Sequence, residues 1–166
     1  MSFNINHDEA GGDYSLLPEG EYEVVVKYAH ENATKSGTVY ISLPLAVRND
    51  IEQKYQNKIL WHALWHRREP SAADLATDGY SNAQIQAISK AVGLPNGRAF
   101  GSLEEWMAYL EGKPLRVTVK HEAYNNQTRE RVQWTNNTLH PDVQHVWRDP
   151  ALKTAAIEAE EDDLPF

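Results

Sequence analysis

The stretch LPEGEYEVVVKYAHENATKSGTVYISLPLAV, residues 17–47, decides the fold, because it reads as two long antiparallel strands joined by a polar turn. In its first half Tyr22, Val24, Val26 and Tyr28 alternate with Glu21, Glu23 and Lys27, the period of two expected of a sheet with one buried face. Val25 alone breaks that pattern. In the second half Val39, Ile41, Leu43, Leu45 and Val47 share a face while Tyr40 and Ser42 point the other way. Burying one such aliphatic side chain contributes about 1.5–3 kcal/mol, so this face commits most of a core. Between the halves, Glu31-Asn32-Ala33-Thr34-Lys35-Ser36-Gly37 carries turn formers and a glycine able to take positive φ, and is expected to be the hairpin loop. Pro44 cannot donate to a ladder, which implies an edge or a bulge at that point of the second strand.

Working outward, residues 1–16 form a polar arm in which Phe3 and Ile5 alternate with Asn4 and Asn6, as a short edge strand would. Downstream, residues 58–66 read as a third strand. There Ile59, Trp61, Ala63 and Trp65 oppose Leu60, His62, Leu64 and His66; both faces are partly apolar, and periodicity leaves open which one is inside. Pro70-Ser71 opens a helical region whose main element has Ser81 as N-cap, an apolar face of Ile85, Ile88 and Val92, and a stop at Gly93. A second helix begins at Ser102 with Glu105 completing a capping box, buries Leu103, Trp106, Met107 and Leu110, and ends at Gly112. Leu115, Val117 and Val119 then alternate with Arg116, Thr118 and Lys120. Asn125-Asn126-Gln127-Thr128 turns the chain, and residues 129–135 return as a fifth strand.

Three strands, a helical segment and two more strands make a mainly β protein in the element order of an OB-fold, a five-stranded Greek-key barrel with its helical segment between strands three and four. We place that domain at residues 17–136. An irregular, partly helical extension is expected at 137–157, with a short helix beginning at 151 and reaching 159, and a disordered acidic tail at 158–166.

A chain of 166 residues with 41% hydrophobic content can bury one ordinary core. No run approaches the roughly 18–20 apolar residues of a membrane span, and the N-terminus has neither the basic nor the apolar region of a signal peptide, so the expectation is a protein without a membrane partner that stays where it is made. With no cysteine there is no disulfide framework and no thiolate metal site. The net charge of -8 argues against an anionic partner until the charges are located: Asp8, Glu9, Asp13, Glu158, Glu160, Glu161, Asp162 and Asp163 are terminal, and the other acids are matched by 16 Lys and Arg. The body is neutral, and the local arrangement of its cations decides what it binds.

The run Asp162-Asp163-Leu164-Pro165-Phe166 is the most specific signal. Acidic tails usually serve solvation, but solvation needs no Leu-Pro-Phe, and average residue usage makes this pentapeptide an accident on the order of one in a million. It resembles the C-terminal tip of bacterial single-stranded DNA-binding proteins, where acids followed by a terminal Pro-Phe dock replication and repair partners. Over roughly residues 15–135, Leu17-Pro18-Glu19-Gly20-Glu21-Tyr22-Glu23-Val24, Thr34-Lys35-Ser36-Gly37 and Leu110-Glu111-Gly112-Lys113-Pro114-Leu115, with Tyr124 and Arg129-Glu130-Arg131, resemble a phage family. That family, long catalogued as a domain of unknown function, comprises OB-fold single-stranded DNA-binding proteins. Residues 69–80 and 137–156 fit it poorly. The resemblance implies a bacteriophage protein of DNA replication and recombination in the cytoplasm of an infected bacterial host, binding single-stranded DNA and recruiting partners through Asp162, Asp163, Leu164, Pro165 and Phe166. Homo-oligomerisation is compatible with it.

Independently of family, an OB-fold binds nucleic acid over its second and third strands and its first and fourth loops, stacking bases on aromatics and pairing phosphates with Lys or Arg. Those places hold Lys35, Tyr40, Trp61, Trp65, Arg67 and Arg68, with Lys120, Tyr124, Arg129, Arg131 and Trp134 around the last hairpin. The competing reading of each aromatic is core packing, and of Arg67-Arg68 a solvated pair. His62 and His66 share a strand face, but metal ligation needs a third ligand and Ala63 breaks the His-Glu-x-x-His pattern. No phosphate loop, nucleophile elbow or carboxylate cluster in the body suggests an enzyme, and no cofactor is expected. The rival readings are a metal-dependent nuclease or other accessory enzyme of DNA metabolism, and a protein-binding or inhibitor module.

Overall fold

The computed structural model describes residues 16–147 together with Ser2. The edge strand expected near Phe3 and Ile5, the helix over 151–159 and the acidic tail lie outside the described residues.

Strands β1 (Gly20–Val26) and β2 (His30–Ala33) are two parts of one bent run, and both pair antiparallel with β3 (Val39–Val47). Four steps from Val26 to His30 face three from Leu45 to Ser42, so the register slips by one residue at the bend. The slip lies beside Pro44, whose ring nitrogen has no N–H to give; Lys27 donates to the Pro44 carbonyl at 3.0 Å instead. The five strands expected are therefore six. Residues 31–33, expected in the loop, are ladder residues, and the turn shrinks to Thr34–Thr38, closed by Gly37 N donating to Thr34 O at 2.9 Å with Gly37 at φ 91°. Tyr28, expected on the buried face, falls in the bend, where it stacks on His30 at 4.4 Å. Val39, also expected inside, sits opposite Ala33 at the far end of β3 and is exposed.

Strand β4 (Ile59–Trp65) pairs with the other edge of β3, β5 (Pro114–Tyr124) with β1, and β6 (Gln127–Asn136) with β5, all antiparallel. The protein is thus mainly β, an open antiparallel sheet of six strands in which the free edges of β4 and β6 approach one another without forming a ladder. Helices α1 (Ala72–Leu75), α2 (Asn82–Ala91) and α3 (Leu103–Leu110) lie between β4 and β5 in the chain. Ile85, Ile88, Trp106, Met107 and Leu110 join Leu43, Leu45, Leu60, Leu64 and Val117 in one core.

Ser81 and Ser102 cap α2 and α3, accepting from Gln84 N and Glu105 N, contacts that contribute about 1 kcal/mol each. The capping box expected at Glu105 does not close on Ser102: Glu105 Oε1 accepts from Gly101 N, at 2.6 Å. The full box forms at Ser71 and Asp74 instead.

The alternation in β1 fails at its end because both faces are covered there. Glu23 and Val25, on the face away from the core, are buried along with Val24 and Val26. Glu23 is covered by Gln53 and by the segment 138–147, which has neither helix nor strand and is strapped down by Arg48. That guanidinium is wholly buried; it donates to both Asp50 oxygens at 2.9 and 2.6 Å, to His140 O at 2.7 Å, to Asp142 O at 3.2 Å and to Thr138 Oγ1 at 3.3 Å. Glu23 accepts from the Thr138 hydroxyl and from Leu139 N, and Asn49 exchanges two hydrogen bonds with the Val146 backbone. Residues 138–147, the described part of the irregular extension, are held by one cation between two carboxylates.

Candidate nucleic-acid interface

The pairing of β3 with β4 decides which face of β4 is buried. Ile41 lies opposite Leu64, Leu43 opposite His62 and Leu45 opposite Leu60, so these residues follow the aliphatic stripe of β3 inward. The alternate pairs, Tyr40 with Trp65, Ser42 with Ala63 and Pro44 with Trp61, are forced onto the outer face. Trp61 is 64% exposed and Trp65 47%. Tyr40 stacks on Trp65 with ring centroids 4.6 Å apart and planes 25° off parallel. Four residue steps along the strand separate the two indoles, a rise of about 13 Å. Two exposed indoles on one strand face, with Ser42 and Pro44 buried between them, are a feature the core does not require, and exposed apolar surface of this kind often marks a binding site.

Cations gather at one end of this row. Lys35, in the turn between β2 and β3, and Arg67 and Arg68, directly after β4, are exposed, and the register places all three beyond the Tyr40–Trp65 pair. Arg67 is anchored through its backbone N–H to Gly79 O at 2.8 Å. Its side-chain charge also helps hold the Asp74 carboxyl below the usual range, behind the larger effect of the Asn82 and Ser71 amides.

The second cluster sits on the arm formed by the far ends of β5 and β6. Asn125 and Asn126 take positive φ, 51° and 64°, which makes a two-residue turn whose twist matches the strands; the strands therefore run to Tyr124 and from Gln127, further than the sequence pattern reached. Register then sets Lys120 opposite Arg131 and Glu122 opposite Arg129 on the face that carries Tyr124. The Arg129 guanidinium lies 4.0 Å from the Tyr124 ring centroid. Glu122 holds Arg129 at 2.8 Å and Arg131 at 3.5 Å. Lys120 and Arg131 are like charges directly across a ladder, an arrangement that costs stability. On the opposite face the arm is tied to the chain before β1: His121 Nε2 meets Leu17 O at 2.6 Å, and Leu17 N donates to Glu130 Oε1 at 2.6 Å.

His62 of β4 lies opposite Leu43 on the inward face. Burial, with the nearby Arg131 charge second, pushes that imidazole down to about 4, so it is neutral at physiological pH and adds no cation to the surface. Trp134 stands apart: it is exposed but pairs with Thr118, across the bulge from the Tyr124–Arg129 group. Asp162, Asp163, Leu164, Pro165 and Phe166 lie outside the described residues.

The sequence reading missed Glu122, whose place opposite Arg129 follows by counting back from a two-residue Asn125-Asn126 turn. It also missed the Tyr28–His30 stack. A groove of about 850 Å3 between α2 and the loop before α3 has Lys90 and Arg98 on its rim and Asp78 as its one carboxylate. His66 stacks on Tyr80 at 4.0 Å, and among the described residues no three His, Asp or Glu side chains converge as a metal site would require.

A family model described as a protein of unknown function (DUF669) matches residues 3–151. The chain belongs to the DUF669 family. No curated protein matches it. The DUF669 match spans the sheet, the helical insertion, the arm and the Arg48 strap, and stops short of the acidic run at 158–166. Among the described residues of this DUF669 chain no helix is long and apolar enough to cross a membrane.

Proposed function

We propose that this DUF669 chain is an OB-fold single-stranded DNA-binding protein of the phage kind, which coats exposed strands without sequence preference in replication or recombination and recruits partner proteins through the acidic run ending in Leu164-Pro165-Phe166. The observation that carries it is the outer face of β3 and β4, where Trp61 and Trp65 are exposed, half-buried Tyr40 stacks on Trp65, and Lys35, Arg67 and Arg68 lie beyond that pair. The fold supports the same reading. Counting β1 and β2 as one bent strand leaves five strands, a helical insertion after the third, and two free edges brought close together, as in a partly open Greek-key barrel. The binding face and the arm then correspond to the second and third strands and the last loop. Recruitment rests on the residues 162–166 alone.

Bases stack on aromatics only when unpaired, so single strands should bind at least about tenfold more tightly than duplex of equal length. The cations supply the rest. Affinity should fall with salt at a log-log slope of about -0.7 for each phosphate contacted. A competition assay between labelled single strands and unlabelled duplex, run over a salt series, tests both halves; equal affinity for the two forms, or an isotherm indifferent to salt, contradicts the proposal.

A further inference from the structure

We infer that Glu122 is a specificity-determining residue of this interface, an internal anion that occupies the arm's arginines and makes binding depend on base stacking rather than on phosphate alone. The inference rests on the single-strand-binding reading above. On one face of the arm Lys120, Arg129 and Arg131 share the ladder with one carboxylate, Glu122, which uses one oxygen on Arg129 at 2.8 Å and the other on Arg131 at 3.5 Å. Both arginines are about half exposed, and ion pairs in that setting add little to a fold. The acid offsets part of the Lys120–Arg131 repulsion, a small gain at this exposure.

Its position explains it better. A phosphate that engages Arg129 or Arg131 must take the place of Glu122 and then sit beside its negative charge. That penalty falls on every nucleic acid, but it falls hardest on duplex, which carries one charge per about 1.7 Å of axis and offers no free base face in return. A single strand recovers the loss on Tyr124, which is 54% exposed and carries the Arg129 guanidinium against its ring. Glu122 is therefore a repulsive element of the kind by which specific sites reject a near competitor.

The test is Glu122→Gln in the full chain, titrated with a thymidine oligonucleotide and with duplex of the same length. Duplex affinity should rise about tenfold at low salt and single-strand affinity about threefold, so that discrimination shrinks about threefold, with the gains fading as salt is raised. Glu122→Thr, which keeps a strand-forming side chain, should behave alike, and thermal melts of both variants should fall by no more than about 2–4 °C. Glu111→Gln, at the exposed end of α3, controls for net charge. Unchanged or widened discrimination in the Glu122 variants, or an equal loss of discrimination in Glu111→Gln, overturns the inference while leaving the binding reading intact. A parent chain that binds neither ligand overturns both.

Discussion

Replacing Trp61 and Trp65 together with alanine should weaken binding of a thymidine oligonucleotide by about 2–6 kcal/mol, from about 1–3 kcal/mol for each lost base stack, and leave the fold standing. Both indoles project from the face of β4 opposite to Leu60 and Leu64, which stay fully engaged in the core. Truncating a buried Trp would cost about 3–5 kcal/mol of stability; truncating these exposed ones should shift a urea midpoint little. Tyr40→Ala should give a smaller loss, because it removes the ring that holds Trp65 in its stacked position. Unchanged oligonucleotide affinity in the double variant refutes the aromatic row as a binding surface. A large fall in its stability would show instead that the rings are structural.

Arg48→Met should have the largest effect on stability, about 3–5 kcal/mol, because removing one partner of a buried ion network leaves the other charges unpaired. Glu23 and Asp50 are the stranded groups, and the carbonyls of His140 and Asp142 lose their donor as well. Against a total stability of about 5–15 kcal/mol the loss is large, and the strap over 138–147 should detach first. Acid titration carries its signature. The Arg48 hydrogen bond lowers Asp50 from 3.8 to about 2, so its contribution is complete above pH 3.8 and is lost as the pH falls through about 2. His62 is lowered from 6.5 to about 4, so the unfolded chain takes up a proton first and stability also drops as the pH falls from 6.5 to 4. Urea melts across this range should show both limbs in the parent and lose the lower one in Arg48→Met. An Arg48→Met protein as stable as the parent, with both limbs present, would contradict the strap.

The sheet was legible because Val24, Val26, Ile41, Leu43 and Leu45 obey one period and cover one core. Legibility failed where a second surface intervened. Glu23 alternates as a solvent-facing residue should, yet it is buried beneath a segment that meets it through Thr138 and Leu139, more than a hundred residues away. Arg48 carries no mark in the sequence either, because two of its five hydrogen bonds go to backbone carbonyls and a third to a threonine ninety residues away, partners that leave no charge pattern. The bend that splits the first strand comes from Pro44 on its neighbour, a cross-strand effect that was visible as a bulge signal but not assignable to residues 27–29. For the candidate site, β4 alone left Trp61 and Trp65 undecided because both faces are partly apolar; pairing with the aliphatic stripe of β3 settles it. Glu122 escaped notice because the arm's register depends on the length of its turn.

The central claim is that the outer face of β3 and β4 stacks unpaired bases, and intrinsic fluorescence of the full chain reports it most directly. Trp61 and Trp65 are exposed on that face, whereas Trp106 is buried on the inner side of α3 and its indole N–H donates to Ser89 of α2. Titration with a thymidine oligonucleotide at low salt should give a saturable quench that added salt reverses and that Trp61→Ala with Trp65→Ala largely abolishes. An emission spectrum unmoved by oligonucleotide, or a quench of full size in the double variant, would contradict the account.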